Sequence, residues 1–97
     1  MVTEIVRATI KPGQEEAYRK AFESAQHLLQ SAKGYVDHSL QQCIEDPTKF
    51  VLMVRWETYA DHVEGFRGSE PWNRFRAATA EYQAQPSEVL HYQVPDR

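Results

Sequence analysis

Four histidines, His27, His38, His62 and His91, are the side chains of this 97-residue chain whose ordinary pKa lets them trade a proton near neutrality. His62 is distinguished by its position. With Tyr59, Val63 and Phe66 it falls at i, i+3, i+4 and i+7, on the apolar stripe of an amphipathic helix, and Arg67 lies five positions on at the edge of the same face. A base and a fixed cation beside the aromatic rings of Phe66, Trp72 and Phe75 could deprotonate a phenol or an enol and stabilise the negative charge that develops. A dry, apolar pocket would strengthen both effects. Met53 could fill gaps in such a wall, while His38 and His91 could face the cleft or the interior of a dimer.

Each of these residues also suits a plain structural role. A histidine on an apolar stripe packs and hydrogen-bonds, Arg67 can pair with Glu64 or Glu70, and Trp72 and Phe75 can simply fill a core. His27, beside Gln26 and Leu28, falls at the solvent edge of the first helix. The four histidines show no i, i+4 or two-residue spacing and no clustered carboxylate, so no metal site is expected. Neither a glycine-rich phosphate loop nor a nucleophile elbow occurs. Cys43, a single cysteine, cannot form an intramolecular disulfide and reads as a strand residue without chemistry.

The elements that must position these groups follow from hydrophobic periodicity. Val2 to Ile10 reads as a first strand, with Val2, Val6, Ala8 and Ile10 on one parity. After Pro12-Gly13, the residues Tyr18, Phe22, Ala25, Leu29 and Ala32 recur at helical spacing up to a stop at Gly34. Val36, His38, Leu40 and Ile44 give the better-buried face of a second strand, and Phe50 to Trp56, apolar on both parities, reads as a central third strand. Thr58 and Asp61 look like a capping pair for a second helix. Gly68 breaks that helix, and Ser69 and Pro71 restart it for Trp72, Phe75, Thr79 and Tyr82. Val89 to Val94 is the last strand.

Strand, helix, strand, strand, helix, strand is the split βαβ order of a ferredoxin-like α+β fold, with both helices on one face of a four-stranded antiparallel sheet. The third strand needs cover on its second face, which a homodimer with sheets face to face would supply. The chain length allows one domain, residues 1–97, burying about 65% of its unfolded surface. A hydrophobic fraction of 41% and a charged fraction of 26% fit a globular protein. With a net charge of −3 and scattered Lys and Arg, nucleic acid is not an expected partner. No apolar run approaches the roughly 18 residues of a membrane span, and Met1-Val2-Thr3-Glu4 carries no basic-then-apolar signal, so the chain reads as cytoplasmic.

The segments Trp56-Glu57-Thr58-Tyr59-Ala60-Asp61-His62, Gly65-Phe66-Arg67-Gly68-Ser69 and Val89-Leu90-His91-Tyr92 resemble the antibiotic biosynthesis monooxygenase domain family. Ile10-Lys11-Pro12-Gly13-Gln14-Glu15 and Lys33-Gly34-Tyr35 fit as well, so the resemblance covers nearly the whole chain. It implies a dimeric α+β barrel with a ligand cleft between helices and sheet in each subunit. The activities it implies are cofactor-free oxygenation of polycyclic phenols or anthrones, hydroquinone oxidation and, in one branch, haem degradation; some members have no known activity. The haem-degrading branch carries an Asn on the first strand, a Trp on the second helix and an iron-ligating His further along. Here the only asparagine is Asn73, Phe66 most nearly matches the Trp, and no histidine lies between Trp72 and Gln83, so haem is not expected.

The leading expectation is a cofactor-independent monooxygenase or quinol oxidase for an apolar phenol, anthrone or hydroquinone, with His62 as base and Arg67 stabilising negative charge. A dimer of the same fold that binds a small ligand without turnover is the alternative. An isomerase or decarboxylase using the same base is a third reading.

Overall fold

Alternation along the first strand decides which side of the sheet is covered. The computed structural model describes residues 1–95. Its elements are β1 (Val2–Thr9), α1 (Glu15–Gln30), β2 (Tyr35–Gln42), β3 (Lys49–Trp56), a π-helical turn (Asp61–Phe66), α2 (Glu70–Thr79), a 3-10 turn (Ala80–Tyr82) and β4 (Glu88–Tyr92). Val2, Glu4 and Ala8 of β1 are buried, as are Phe50, Leu52, Val54 and Trp56 of β3, and these side chains lie under the helices. The sheet runs β2-β3-β1-β4 with every pair antiparallel, the ferredoxin-like order expected from the element sequence.

The core forms where the helical stripes meet these strands. Phe22, Ala25, Leu28 and Leu29 of α1 pack with Leu52, Val54 and Trp56 of β3 and with Phe66 and Phe75. A second cluster joins Ala8, Ile10, Tyr18 and Phe50, with the Tyr18 and Phe50 rings edge to face at 5.0 Å. The opposite face of α1 is solvated, and there Arg19 bridges Glu16 and Glu23.

The capping signals at the second helical region are realised. The Asp61 amide donates to Thr58 Oγ1 at 3.1 Å, and the Trp72 amide donates to Ser69 Oγ at 3.3 Å, with Pro71 in the first turn of α2. Several boundaries differ from the periodicity: β1 ends at Thr9 and β4 at Tyr92, short of Ile10 and Val94. Helix α1 ends at Gln30, ahead of Gly34, where Ser31 Oγ donates to the Leu28 carbonyl. An irregularity in β2 between Tyr35 and Asp37 turns Tyr35, in place of Val36, toward the side of His38 and Leu40. Ile44 lies past the end of β2 and is 91% exposed, and Cys43 sits in the same turn with its Sγ 3.6 Å from Glu45. Among the described residues no helix is long and apolar enough to cross a membrane.

Gly34 joins α1 to the sheet at φ +84°, and a Cβ there would fall inside the Asp61 carboxyl group. Gly13 has φ +88° with open space around it. Urea unfolding should therefore show Gly13→Ala costing about 1–2 kcal/mol and Gly34→Ala at least ~1 kcal/mol more. Equal losses would contradict the packing of the π-helical turn against the end of α1.

Candidate active site

The π-helical turn sets the site. The Arg67 amide donates to the His62 carbonyl at 3.0 Å, closing the wide i to i+5 ring that marks such turns and that is found often at functional positions. His62 and Phe66 point inward and are buried, while Tyr59, on the same predicted stripe, is half exposed. Trp56, at the end of β3, stacks on His62 with centroids 5.1 Å apart and an interplanar angle of 23°.

The group that His62 meets is a carboxylate. Glu4 is 5% exposed; its Oε1 accepts the Trp56 indole N–H at 2.9 Å and its Oε2 lies 3.3 Å from His62 Nε2. His62 Nδ1 is 2.8 Å from Nε2 of His91, which stands opposite Glu4 in the β1–β4 register and is partly exposed. Tyr59 covers His91 edge to face at 4.8 Å. Burial holds the Glu4 carboxyl above its ordinary 4.5, opposed by the Trp56 hydrogen bond and the charge of Arg67. Burial also pushes His62 down to about 3, helped by Arg67 and His91, and lowers His91 with Arg67 again contributing. His62 is thus a neutral imidazole at physiological pH.

Glu4 opens onto a cavity of about 510 Å³ between helices and sheet. Val6 and Val89 form its floor, Phe66, Trp72 and Phe75 its aromatic wall, and Arg67 its charged edge. Phe66 and Trp72 meet edge to face at 5.7 Å, and Trp72 and Phe75 lie nearly parallel at 6.3 Å, so the wall is continuous. The size and the mostly apolar lining suit a flat ring system with one or two polar substituents. Groups of three or more metal-ligating side chains are absent among the described residues.

Of the residues singled out from sequence, Arg67, Phe66, Trp72 and Phe75 line this cavity. Arg67 takes part in none of the ion pairs among the described residues, so the pairing with Glu64 or Glu70 is not formed. His62 and His91 stand behind Glu4, outside the lining. Two further residues expected at the wall do not line this cavity. Met53 has the parity of Val51 and Arg55 and lies on the uncovered sheet face. His38 faces the helices, but from β2, at the sheet edge opposite β4, where it contacts Tyr35, Gln26 and Phe22. Glu4 was not anticipated, although its parity was a usable signal: it shares a strand face with Val2, Val6 and Ala8.

The shifts at this site carry a sign for stability. Between pH 6.5 and about 3 the unfolded chain takes up a proton that folded His62 refuses, so stability present above pH 6.5 is lost as the pH falls. Glu4 acts in the opposite sense, since the folded state binds its proton first on acidification and gains stability. At about 1.4 kcal/mol per pH unit, wild type should lose roughly 2 kcal/mol more than His62→Gln over two pH units below 6.5 in urea unfolding. Parallel pH profiles would contradict the buried, neutral state of His62.

The family model for antibiotic biosynthesis monooxygenase matches residues 1–78. The uncharacterized protein YczJ of Bacillus subtilis (strain 168) is 39% identical over 93 residues, which span 96% of this chain and 98% of that protein. A crystal structure from Bordetella bronchiseptica with the same family designation is 31% identical, with a TM-score of 0.93 over 97% of this chain and 96% of the other. SnoaB, a cofactor-independent oxygenase from Streptomyces nogalater, shares the fold at a TM-score of 0.84 and 16% identity, covering 99% of this chain and 94% of its own. The chain belongs to the antibiotic biosynthesis monooxygenase family.

Proposed function

We propose that this protein is a cofactor-independent monooxygenase or quinol oxidase acting on an apolar phenol, anthrone or hydroquinone bound in the cavity. The observation that carries the reading is a buried carboxylate, backed by a neutral imidazole, opening onto an aromatic-walled cavity edged by Arg67. The expected base, His62, then acts through Glu4, whose carboxylate takes the phenolic proton. The resulting phenolate gives electrons one at a time to dioxygen while Arg67 stabilises the negative charge on ring and oxygen. With a hydroquinone, two electrons and two protons pass to dioxygen, giving quinone and hydrogen peroxide. With an anthrone, one oxygen atom enters the ring and the other leaves as water. Membership of the family and the fold shared with SnoaB support this reading.

A homodimer completes the proposal. On the uncovered sheet face Leu90, Ile5 and Met53 form an apolar row across three strands, and Tyr92 lies beside it, half exposed. The Asp37–Arg55 ion pair borders that row. A second copy laid sheet to sheet would bury it and brace β4, whose other face carries His91 and Val89. The alternative, a dimer that binds a small ligand without turnover, uses the same cavity.

Oxygen uptake with a panel of hydroquinones and anthrones, with no metal or flavin added, separates these readings. Turnover is expected, and Arg67→Gln should lower kcat/KM by about 10²-fold. Ligand-dependent stabilisation of the folded protein with no oxygen consumed across the panel would favour the binding dimer, and product formation without oxygen would favour an isomerase or decarboxylase. Sedimentation should give about twice 11.3 kDa, falling to the monomer mass in Leu90→Asp; a monomeric wild type would contradict the sheet-to-sheet dimer.

A further inference from the structure

Glu4, His62 and His91 form a line that starts at the cavity and ends at a partly exposed ring, through two side chains that do not line the cavity. The line has a direction. Trp56 Nε1 is a donor only, so Glu4 Oε1 accepts there whatever its charge. When Glu4 is ionised it can only accept, so His62 must carry its proton on Nε2. Neutral His62 then presents a bare Nδ1, and His91 must carry its own proton on Nε2. When Glu4 is protonated the whole order can reverse, with both rings protonated on Nδ1.

We propose that Glu4 exchanges its proton with solvent through His62 and His91, so that its charge is reset while a ligand fills the cavity. A proton from water bonds to His91 Nδ1, His91 Nε2 passes its proton to His62 Nδ1, and His62 Nε2 passes its proton to Glu4 Oε2. Three bonds to hydrogen form on the protein as two N–H bonds break, and both imidazoles change tautomer without either holding a lasting charge. This fits a ring that burial and Arg67 keep neutral. The 3.3 Å between His62 and Glu4 is a few tenths longer than a good hydrogen bond, so a small approach completes the line. The other titratable groups lining the cavity are Arg67, Arg76 and Tyr18, and burial pushes the Tyr18 hydroxyl up to about 12. His62 and His91 are positioning residues here, and Glu4 is the group a ligand meets. The use of the proton rests on the oxidase reading; the path does not.

The test needs no substrate. In protein labelled with 13C and 15N, ring-nitrogen shifts of His62 and His91 are followed together with the Glu4 carboxyl carbon across pH. The expected result is one shared transition, with both rings moving from Nε2–H to Nδ1–H as Glu4 gains its proton, and its loss from both rings in Glu4→Gln. Glu4 titrating while His62 keeps its tautomer, or His62 becoming imidazolium in that range, would overturn the proposal. A shared transition in a protein that consumes no oxygen with any member of the panel would uphold the path and discard the oxidase reading.

Discussion

A carboxyl group 5% exposed in the interior of a 97-residue protein is the constraint on which the rest of the site depends. Removing a carboxylate from water costs several kcal/mol unless donors and charge replace the lost hydration. Around Glu4 the fold supplies the Trp56 indole N–H, the His62 ring and the field of Arg67. Trp56 comes from β3, and His62 and Arg67 from the π-helical turn and the residue that closes it, so satisfying the carboxylate fixes how β1, β3 and that turn meet. Gly34 takes part at one remove, because its missing side chain lets Asp61, the first residue of that turn, settle against the end of α1.

The same arrangement leaves the carboxylate incompletely neutralised and facing an apolar space, which makes it chemically useful. A solvated glutamate would be a weak base toward a phenol, whereas burial raises the basicity of Glu4 and keeps water from its partner. His62 holds the carboxylate from behind and stays neutral, so it leaves the negative charge of Glu4 uncancelled. Arg67, at the cavity edge, lies where charge would develop on a ring or on reduced oxygen. The strand beneath, β4, joins this site to the uncovered face: Val89 and His91 point to the cavity side, Leu90 and Tyr92 away from it.

The architecture was legible because alternation and helical spacing agree at nearly every element, from Val2, Val6 and Ala8 to the Ser69 cap. The site was legible only where helical spacing reports a face. Phe66, Arg67, Trp72 and Phe75 came together because neighbouring turns of one helical region carry them. Met53 lies away from the cavity because its parity sets it on the sheet face opposite Leu52 and Val54. His38 had the right parity, but distance across a sheet follows strand order, and β2 and β4 are opposite edges. The π-helical ring leaves no clear trace in residue spacing, since His62 and Phe66 fit an ordinary helix equally well. Glu4 leaves one signal in the sequence, a carboxylate among helix-facing residues, which marks a buried acid.

The most direct measurement of the central claim is hydroquinone oxidation by Glu4→Gln, with near-ultraviolet circular dichroism to confirm that Trp56 keeps its surroundings. The account predicts a loss of kcat of at least about 10²-fold in a folded protein. Oxygen uptake within about twofold of wild type would contradict it, because an uncharged amide in place of Glu4 cannot take the phenolic proton.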